Sequence, residues 1–278
     1  MDAEVDLEIR LLLEAIFDRY HYDFRSYAKA SLKRRLAQAR DHLGVATLSG
    51  LQERVLHEPE SFAALLQFLT VQVSDMFRDP EFFRTIRTRV LPVLATYPSI
   101  KVWVAGCSTG EEAYSLAILL REEGLLERAI IYGTDINAHS LRAAENGVFS
   151  LSRLRGFTEN HRRSGAKGSL SDYYHVSLDA SADSAIMDAA LRRKITFSDH
   201  SLATDNVFSE VHLVTCRNVL IYFDEALQNR ALSLFTDSLV GRGFLGLGAK
   251  ESLRFSAAAE HFTEFAAEER IYRRKGPA

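Results

Sequence analysis

A run of five small residues, Gly106 to Gly110, stands between two patterns of different period in this chain of 278 residues. The apolar run before it, Val102 to Ala105, predicts a buried strand, and the apolar positions after Glu111 repeat with a helical period. In an open α/β sheet, ligands bind beside the first strand-to-helix turn, at the carboxyl ends of the strands. The turn is therefore a candidate binding site, and Gly106 is a candidate ligand contact.

This turn lacks the features of a phosphate site. It has no Gly-Lys-Ser/Thr ending of a P-loop, and its glycines are not spaced as in the dinucleotide fingerprint. Two carboxylates, Glu111 and Glu112, follow at the start of the helix, where they would repel a pyrophosphate. Glu112 also completes the pattern Thr-x-x-Glu with Thr109, so a capping box is an equally good interpretation of this residue. A neutral or cationic ligand suits the turn better than a phosphate does.

Asp135 ends the second predicted strand, in the stretch YGTDIN, and is expected beside the first turn. A carboxylate there can accept both hydroxyls of a ribose, and each charge-assisted bond contributes about 1.5–3 kcal/mol. The alternative is that Asp135 caps the helix beginning near Ala138. A small-residue turn, a ribose-binding acid and no phosphate apparatus together indicate S-adenosylmethionine, whose sulfonium cation tolerates nearby acidic groups.

The elements that must position these residues change along the chain. Up to about residue 88 the pattern is helical throughout, which predicts a small all-helical domain over 1–88. After Pro92, strand-like runs alternate with helical stretches and predict an α/β domain over 89–278, with a doubly wound, mostly parallel sheet. A polar interval at about 150–192 breaks this rhythm and is interpreted as an insertion at the edge of the sheet. The strand-like runs are 101–105, 129–133, 195–197, 211–215 and 243–247.

The composition argues against several classes of protein. A net charge of −3 gives no basic field that would draw the chain onto nucleic acid or a membrane. Cys107 and Cys216 indicate neither a disulfide framework nor a zinc site, so a reducing cytoplasm is the expected location. There is no run of about 18 apolar residues that could span a bilayer. The nine histidines show no metal-ligand spacing, so we expect no metal, and we expect a monomer.

Several stretches together resemble the CheR-type methyltransferases of bacterial chemotaxis, which methylate glutamates on receptors. The most specific are VAGCSTGEEAYSLAI, which begins at Val104, and LVTCRNVLIYFDEALQNR over 213–230. GFLGLGAKESL, AAENGVF and LTVQVSDMFRDPEFF resemble further segments, so the resemblance covers nearly the whole chain. It implies a Rossmann-like class I methyltransferase fold, S-adenosylmethionine as cofactor and S-adenosylhomocysteine as product. The implied partner is an acidic helical region of a chemoreceptor or a related signalling protein.

The resemblance implies further cofactor contacts, and the chain departs from the family at several of them. Gln72 and Ser74 stand where the family has asparagine and threonine before its Phe-Phe-Arg. Ser201 and Leu202 stand where the family has Asn-Leu near the adenine, and a serine can bond the adenine edge less completely than an amide. Lys250 replaces a serine of the family's late turn. These departures keep open a degenerate cofactor-binding module without methyl transfer.

Methylating a glutamate needs no strong base, because the side chain is already ionised at neutral pH, with an ordinary pKa of about 4.3. Positioning of the carboxylate can supply about 7–11 kcal/mol of the barrier. The resemblance implies that Arg78 faces both the cofactor and the incoming glutamate; the alternative is a surface salt bridge with Asp75 or Glu81. Tyr222 is a candidate phenol for steering the substrate carboxylate, unless it is only a core residue.

Arg217 and Asn218 end a predicted strand on the cofactor side, and we assign both to shaping the pocket, although Asn218 also suits the capping of a turn. The predicted helix KASLKRRLAQAR presents four cations near one face, which is usually only a solvated surface. The functional alternative is electrostatic docking onto an acidic partner helix. The four cations are Lys29, Lys33, Arg34 and Arg40.

A methyltransferase of another substrate is also compatible with the fold. The fourth predicted strand ends in CRNVLIYF and carries no Asn/Asp-Pro-Pro-Tyr motif, which argues against methylation of adenine amines in nucleic acid.

Overall fold

The structure is a computed structural model that describes residues 2–70, 73–179, 182–254 and 256–276. Local signals in the sequence fix the ends of the N-terminal helices. The side chain of Thr47 accepts the N–H of Gly50, and Gly44 adopts a left-handed φ of 67° just after the second helix. The apolar faces pack into one core, in which Leu36 and Leu51 are fully buried. These helices are α1 (Asp2–Tyr20), α2 (Lys29–His42), α3 (Leu48–His57) and α4 (Pro59–Leu69).

Three short helical segments follow, and they belong to a different core. Phe83, Ile86 and Leu94 are buried against the sheet that comes next rather than against the four N-terminal helices. The two cores divide between Leu69 and Met76. We therefore propose a domain boundary near residue 70 in place of the expected 88. The segments are α5 (Pro80–Thr85), a π-helical turn (Ile86–Val90) and α6 (Leu91–Leu94).

Ten strands are present in the described residues. They are β1 (Ile100–Ala105), β2 (Ala129–Asp135), β3 (Val148–Ser150), β4 (Tyr174–Asp179), β5 (Ala182–Met187), β6 (Ile195–Asp199), β7 (Val211–Cys216), β8 (Leu239–Leu247), β9 (Phe262–Ala266) and β10 (Ile271–Arg274). Seven of them form the main sheet, in the order β6-β2-β1-β7-β8-β10-β9. The first five are parallel to one another. At the edge of the sheet, β10 pairs antiparallel with β8, and β9 pairs antiparallel with β10. The prediction of a doubly wound, mostly parallel sheet is confirmed.

Helices cover both faces of the main sheet. One face packs around Leu116 and Ile118, whereas the other packs around Trp103 and Phe235. The strand order reverses between β1 and β7, which is the position where open α/β sheets bind their ligands. The remaining helices are α7 (Glu111–Glu122), α8 (Ala138–Asn146), α9 (Leu151–Arg163), α10 (Ala189–Arg192) and α11 (Glu225–Ser238).

The interval that the sequence marks as an insertion contains α9 and most of a second, antiparallel sheet in the order β3-β5-β4. The side chain of Asn160 donates to the carbonyl of Met76 at 3.1 Å, so α9 is fastened to the segment that precedes the main sheet. The sequence pattern did not predict β4 and β5, because the glycine- and serine-rich stretches around them made the whole interval look polar. None of the described helices combines the length and the apolar character needed to cross a membrane.

Candidate functional site

A cleft of about 770 Å³ opens at the carboxyl ends of the parallel strands, between the main sheet and the N-terminal helices. Every predicted cofactor-binding or catalytic residue that the structure describes lines this cleft. They are Ser74, Arg78, Gly106, Glu112, Asp135, Ser201, Leu202, Arg217, Asn218 and Tyr222. Gln72 lies outside the described residues. Residues far apart in the sequence are thus brought to one place by the fold.

The glycine at the start of the turn has two structural reasons to be small. Gly106 has a left-handed φ of 74°, which disfavours a side chain. A Cβ atom at this position would lie 2.4 Å from Cγ2 of Val219, on the turn that follows β7. Close packing of two turns therefore requires glycine here, in addition to any ligand, and the sequence alone did not reveal that these two turns touch.

Glu112 does not form the capping box that its spacing allowed. Gly110 occupies the N-cap position of α7, and the hydroxyl of Thr109 donates to the carboxylate of Glu111 at 2.7 Å. Oε2 of Glu112 accepts from Arg217 at 3.0 Å, whereas Oε1 is buried and has no hydrogen-bond partner among the described residues. Such an oxygen is costly to leave unsatisfied, so it is suited to accept a donor from a ligand.

Arg217 is held by the protein on several sides. Its Nη2 donates to Asp79 at 2.6 Å and to the carbonyl of Arg78 at 3.0 Å. The guanidinium carbon lies 4.2 Å from the ring centroid of Phe82. Arg217 therefore joins Glu112 to the segment before the sheet and lines the cleft wall.

Asp135 lies at the end of β2 with both carboxylate oxygens facing backbone amides. Oδ2 accepts the N–H of Ser108 at 2.8 Å, and Oδ1 accepts that of Asn137 at 2.9 Å. Burial raises the pKa of Asp135, and these amide donors oppose the rise. Each oxygen retains a second lone pair for a ribose hydroxyl.

The cap of the helix after β2 is Asn137 rather than Asp135. The side-chain oxygen of Asn137 accepts the N–H groups of His139 and Ser140, at 2.9 and 3.2 Å. The helix-capping alternative for Asp135 is therefore wrong.

Asp199 is a cleft residue that the sequence interpretation missed. It lies directly beside Asp135 in the register of β2 and β6, and it lines the same cleft. Partial desolvation and the neighbouring Asp205 raise the pKa of Asp199. The sequence contained a signal for this residue, because the strand-like run ITFSD ends on an acid just as the run YGTD does.

The residues expected near the adenine lie in a compact loop after β6. The N–H of Ser201 donates to Asp205 at 2.9 Å, and its hydroxyl accepts the N–H of Ala203 at 3.3 Å. Leu202 is buried. On the opposite wall, the carbonyl of Ser74 accepts a hydrogen bond from Arg153.

Arg78 is half-buried, and neither of its alternative partners is joined to it. Asp75 pairs instead with Arg153 at 3.1 Å, and Glu81 pairs with Arg84 at 3.5 Å. No carboxylate in the described part of the chain forms an ion pair with Arg78. Its positive charge is therefore available to a ligand in the cleft.

Tyr222 lies where the two domains meet. Its carbonyl accepts the N–H of Ala28 at 2.9 Å, and Tyr27 and Phe223 form an antiparallel bridge. The guanidinium carbon of Arg35, from α2, lies 4.4 Å from the ring centroid of Tyr222. Tyr27 and Arg35 line the cleft as well, and sequence reasoning missed both because nothing local links them to Tyr222.

Glu251 holds the turn that carries Arg217 and Asn218. Its buried carboxylate accepts the N–H groups of Gly248, Asn218 and Val219, at 2.6, 3.0 and 2.9 Å. Burial raises the pKa of Glu251, and the amide donors oppose the rise. This contact accompanies a left-handed φ of 62° at Asn218. Glu251 was visible in the sequence only as part of GAKESL, with no role assigned.

The four cations proposed for docking lie on α2 outside the cleft. Lys29 and Arg34 are exposed, and neither forms an ion pair within the described residues. The other two pair with surface acids: Lys33 with Asp6 at 2.7 Å, and Arg40 with Asp41 at 2.6 Å.

Cys107 and Cys216 are free and buried, and burial raises the pKa of both thiols, so neither is an activated nucleophile. Over the residues described, no group of three or more His, Cys, Asp or Glu side chains could hold a metal ion.

The doubly wound sheet, with a glycine turn after β1 that lacks the dinucleotide fingerprint and an acid at the end of β2, is the arrangement expected of a Rossmann-like, S-adenosylmethionine-dependent methyltransferase. Two family models match the chain. "CheR methyltransferase, SAM binding domain" matches residues 72–271, and "CheR methyltransferase, all-alpha domain" matches residues 7–70. The chain belongs to the CheR methyltransferase family.

Known relatives agree with this assignment. The chain is 56% identical over 273 residues to a Pseudomonas putida protein named as a candidate methyltransferase, Cher3, with 98% of each chain covered. It is 31% identical over 219 residues to a chemotaxis protein methyltransferase of Vibrio parahaemolyticus, covering 75% of this chain and 76% of the relative. A protein of the same name from Listeria innocua is 28% identical over 235 residues, covering 83% and 84%. The resemblance drawn from the sequence motifs is confirmed.

Proposed function

We propose that the protein transfers the methyl group of S-adenosylmethionine to glutamate side chains of a chemoreceptor or a related signalling protein. The observation that carries this proposal is that one cleft holds both acids with unused acceptor capacity and an arginine that no described carboxylate pairs with. Glu112, Asp135 and Asp199 supply acidic groups on the sheet side, whereas Arg78 has no carboxylate partner among the described residues. A cleft of this kind suits a cationic cofactor beside an anionic substrate.

The residues present fit this cofactor. Oε1 of Glu112, buried without a donor, would accept the ammonium group of the methionine part, and Asp135 would accept the ribose hydroxyls. Ser201 and Leu202 would contact the adenine, as the family resemblance implies. When bound, S-adenosylmethionine supplies a methyl group on a sulfonium centre, which is open to displacement by an oxygen nucleophile. The other cofactor-side residues in the proposal are Gln72, Ser74, Arg78, Gly106, Arg217 and Asn218.

The chain has to orient the substrate rather than activate it. A glutamate with an ordinary pKa of about 4.3 is ionised at neutral pH, so no general base is required. Arg78 would hold the carboxylate through paired N–H donors, and the phenol of Tyr222 would donate to the same group. These two contacts fix one oxygen toward the methyl group and exclude water. Such positioning can supply about 7–11 kcal/mol of the barrier.

The exposed cations of α2 would attract an acidic helical region of the receptor. Lys29 and Arg34 are directly available, whereas Lys33 and Arg40 would exchange their present acidic partners for those of the receptor. Because an exposed ion pair contributes only about 0–1 kcal/mol, this exchange costs little. We expect the reaction to take place in the cytoplasm, with the protein as a monomer.

Incubation with a chemoreceptor cytoplasmic fragment and methyl-labelled S-adenosylmethionine tests the proposal. The expected product is a carboxyl methyl ester, which alkali hydrolyses to labelled methanol. A receptor fragment with glutamine in place of the methylated glutamates is the matched control and should remain unlabelled. Cofactor binding without ester on any receptor fragment would indicate a binding module, and alkali-stable label would indicate another substrate.

The role of Arg78 has its own control within the chain. Arg78→Ala is expected to reduce methyl transfer far more than Asp75→Ala, because only the guanidinium would contact the substrate carboxylate. Equal losses in the two variants would contradict the assignment of Arg78.

A further inference from the structure

The backbone on both sides of Arg78 is strained. Phe77 and Asp79 have left-handed φ values of 52° and 58°, and such values are uncommon for residues other than glycine, above all for a bulky aromatic residue. Strained conformations of this kind persist only where the surrounding structure holds them in place. The contacts that hold this segment therefore determine where the Arg78 side chain lies.

Two side chains of α9 hold carbonyl groups of the segment just before Arg78. Nη2 of Arg153 donates to the carbonyl of Ser74, and Nδ2 of Asn160 donates to the carbonyl of Met76 at 3.1 Å. Arg153 and Asn160 are seven residues apart, which is close to two turns of an α-helix, so both lie on one face of α9. A helix of the inserted interval thus holds the chain immediately before Arg78.

Arg153 also reaches the turn after β1. Its Nη1 donates to Oε1 of Glu111 at 2.7 Å, and the side chain of Glu111 is wholly buried. Its Nη2 lies 3.1 Å from the carboxylate of Asp75. Glu111 begins α7 directly after the small-residue turn at 106–110. One guanidinium, with its donors fixed in a planar fork, therefore sets the distance between this turn and the segment before Arg78.

The other main-chain groups of the segment are held by the sheet domain. The N–H of Phe77 donates to the hydroxyl of Ser115 on α7 at 2.8 Å, and the carbonyl of Arg78 accepts from Arg217 at 3.0 Å. The Arg78 side chain makes a longer contact, with its Nη1 at 3.3 Å from the carbonyl of Val73. The direction of the guanidinium therefore depends mainly on the backbone that carries it.

We propose that Arg153 is a positioning residue for Arg78, assisted by Asn160 from the same face of α9. The two side chains hold residues 74–79 in the strained form that places the Arg78 guanidinium in the cleft. Arg153 is not among the described residues that line the cleft, so its effect on the substrate passes through Arg78. This inference rests on the proposed function and gives the inserted interval a part in the reaction.

The first test measures amide hydrogen exchange in the full chain, without substrate or cofactor. Arg153→Gln should speed exchange at the amides of Phe77 and Arg78 by about 10-fold or more, as expected for the loss of charged hydrogen bonds, and leave strand β1 unchanged. Arg162→Gln is the matched control, because Arg162 lies on the same helix, is 75% exposed and pairs with Glu159. It should leave both regions unchanged. Wild-type exchange at the two amides in Arg153→Gln, or equally faster exchange in β1, would overturn the proposal.

The second test measures how well the protein distinguishes a carboxylate from an amide. With the protein saturated in S-adenosylhomocysteine, the wild type should bind a receptor cytoplasmic fragment about 10-fold more tightly with the target glutamate than with glutamine in its place. Arg153→Gln should bring this ratio of Kd values close to that of Arg78→Ala. The double variant should show no further loss, because Arg153 acts through Arg78. An unchanged ratio in Arg153→Gln, or additive losses in the double variant, would overturn the proposal.

Asn160→Ala guards against misfolding of the Arg153 variant, since it removes one neutral hydrogen bond and leaves Glu111 paired. It should speed exchange at Phe77 and lower the Kd ratio by about 2- to 10-fold. A folded Asn160→Ala with wild-type exchange and a wild-type ratio would refute the role of α9.

These measurements separate the inference from the proposed reaction. Arg153→Gln that responds as expected in both tests, in a protein whose wild type forms no ester, would refute the proposed function and keep this inference. A wild type that forms ester no faster than Arg153→Gln would refute only this inference.

Discussion

A pair of adjacent glutamates stands at each end of helix α7, the second pair including the C-cap residue Glu123, and the pairs differ in how many of their carboxylate oxygens have hydrogen-bond partners. At the C-terminal end, all four carboxylate oxygens of Glu122 and Glu123 have hydrogen-bond partners. At the N-terminal end, both oxygens of Glu111 are engaged, but Oε1 of Glu112 has no donor among the described residues. We interpret the saturated pair as structural and the unsaturated pair as a ligand site.

The C-terminal pair belongs to a buried network that fastens the inserted interval to the sheet domain. Arg87, on the π-helical turn, donates to both glutamates. Nε2 of His161, on α9, lies 3.0 Å from Glu122, and Lys167 donates to Glu123 at 2.7 Å. The charges of Arg87 and Lys167 also offset the unfavourable position of two acids at the C-terminus of a helix.

Glu122→Gln is expected to give the largest effect. It removes one charge from a pair whose side chains are 6% and 1% exposed, and breaking such a buried pair costs about 3–5 kcal/mol. Urea unfolding should show this loss, while the Kd for S-adenosylhomocysteine in the folded protein stays unchanged. An unchanged free energy of unfolding would contradict a structural role for the saturated pair.

Acid should remove part of the same free energy. Burial alone would raise the pKa of Glu122, but hydrogen bonds from His161 and Arg87 lower it to about 2 from an ordinary value of 4.5. Between these values the unfolded chain binds more protons, so stability is lost as the pH falls from 4.5 toward 2. Urea unfolding across this range should show a shallower decline in Glu122→Gln than in the wild type. Parallel declines would mean that Glu122 is not the titrating group.

Glu112→Gln makes the same substitution at the other end of the helix and should have the opposite pattern. The amide can still accept from Arg217, which keeps its pair with Asp79, whereas Glu122 is held by both Arg87 and His161. We therefore expect a smaller loss of unfolding free energy than in Glu122→Gln. Binding of S-adenosylhomocysteine should weaken by about 1.5–3 kcal/mol, since a charge-assisted bond to the ligand ammonium is lost. Calorimetric titration measures this. A variant with unaltered affinity but lowered stability would reverse our interpretation of the two pairs.

Lys167→Ala should give the smallest effect, although it touches the saturated pair. The lysine side chain is 57% exposed, and exposed ion pairs contribute about 0–1 kcal/mol. Urea unfolding at low and high salt should therefore show only a small loss, and the loss should disappear at high salt. A loss as large as that of Glu122→Gln would show that exposure does not separate the two kinds of contact.

Features that depend on neighbouring residues were predictable from the sequence. The five parallel strands were visible as apolar runs between turn signals, and Gly106 and Asp135 were visible because they end such runs. The structure brings these residues into one cleft, while their contacts with the cofactor stay predictions. The capping box at Glu112 was wrong because the left-handed φ of 93° at Gly110 moves the helix start by one residue, which residue types alone do not reveal.

Features that depend on distant segments were not predictable. The environment of Arg35 is set by Tyr222, and that of Glu122 is set by Arg87 and His161. In each case the partners come from another element, and no spacing in the sequence relates them. The sequence predicted a basic helix over KASLKRRLAQAR, but not which residues the buried face of that helix contacts. The backbone N–H groups that donate to Glu251 were not predictable from the sequence for the same reason.

The bridge between Tyr27 and Phe223 also has a consequence for how the protein is made. At a synthesis rate of about 5–20 residues per second, roughly 10–40 seconds separate the two partners as they leave the ribosome. During this interval the four N-terminal helices can fold around their own core, but Tyr27 and the side of α2 that meets Tyr222 stay open to water and to other chains. The cleft is closed only when nearly the whole chain has emerged. Until then the backbone at Tyr27 is an unpaired edge of the helical domain, to which a strand of another chain can bind.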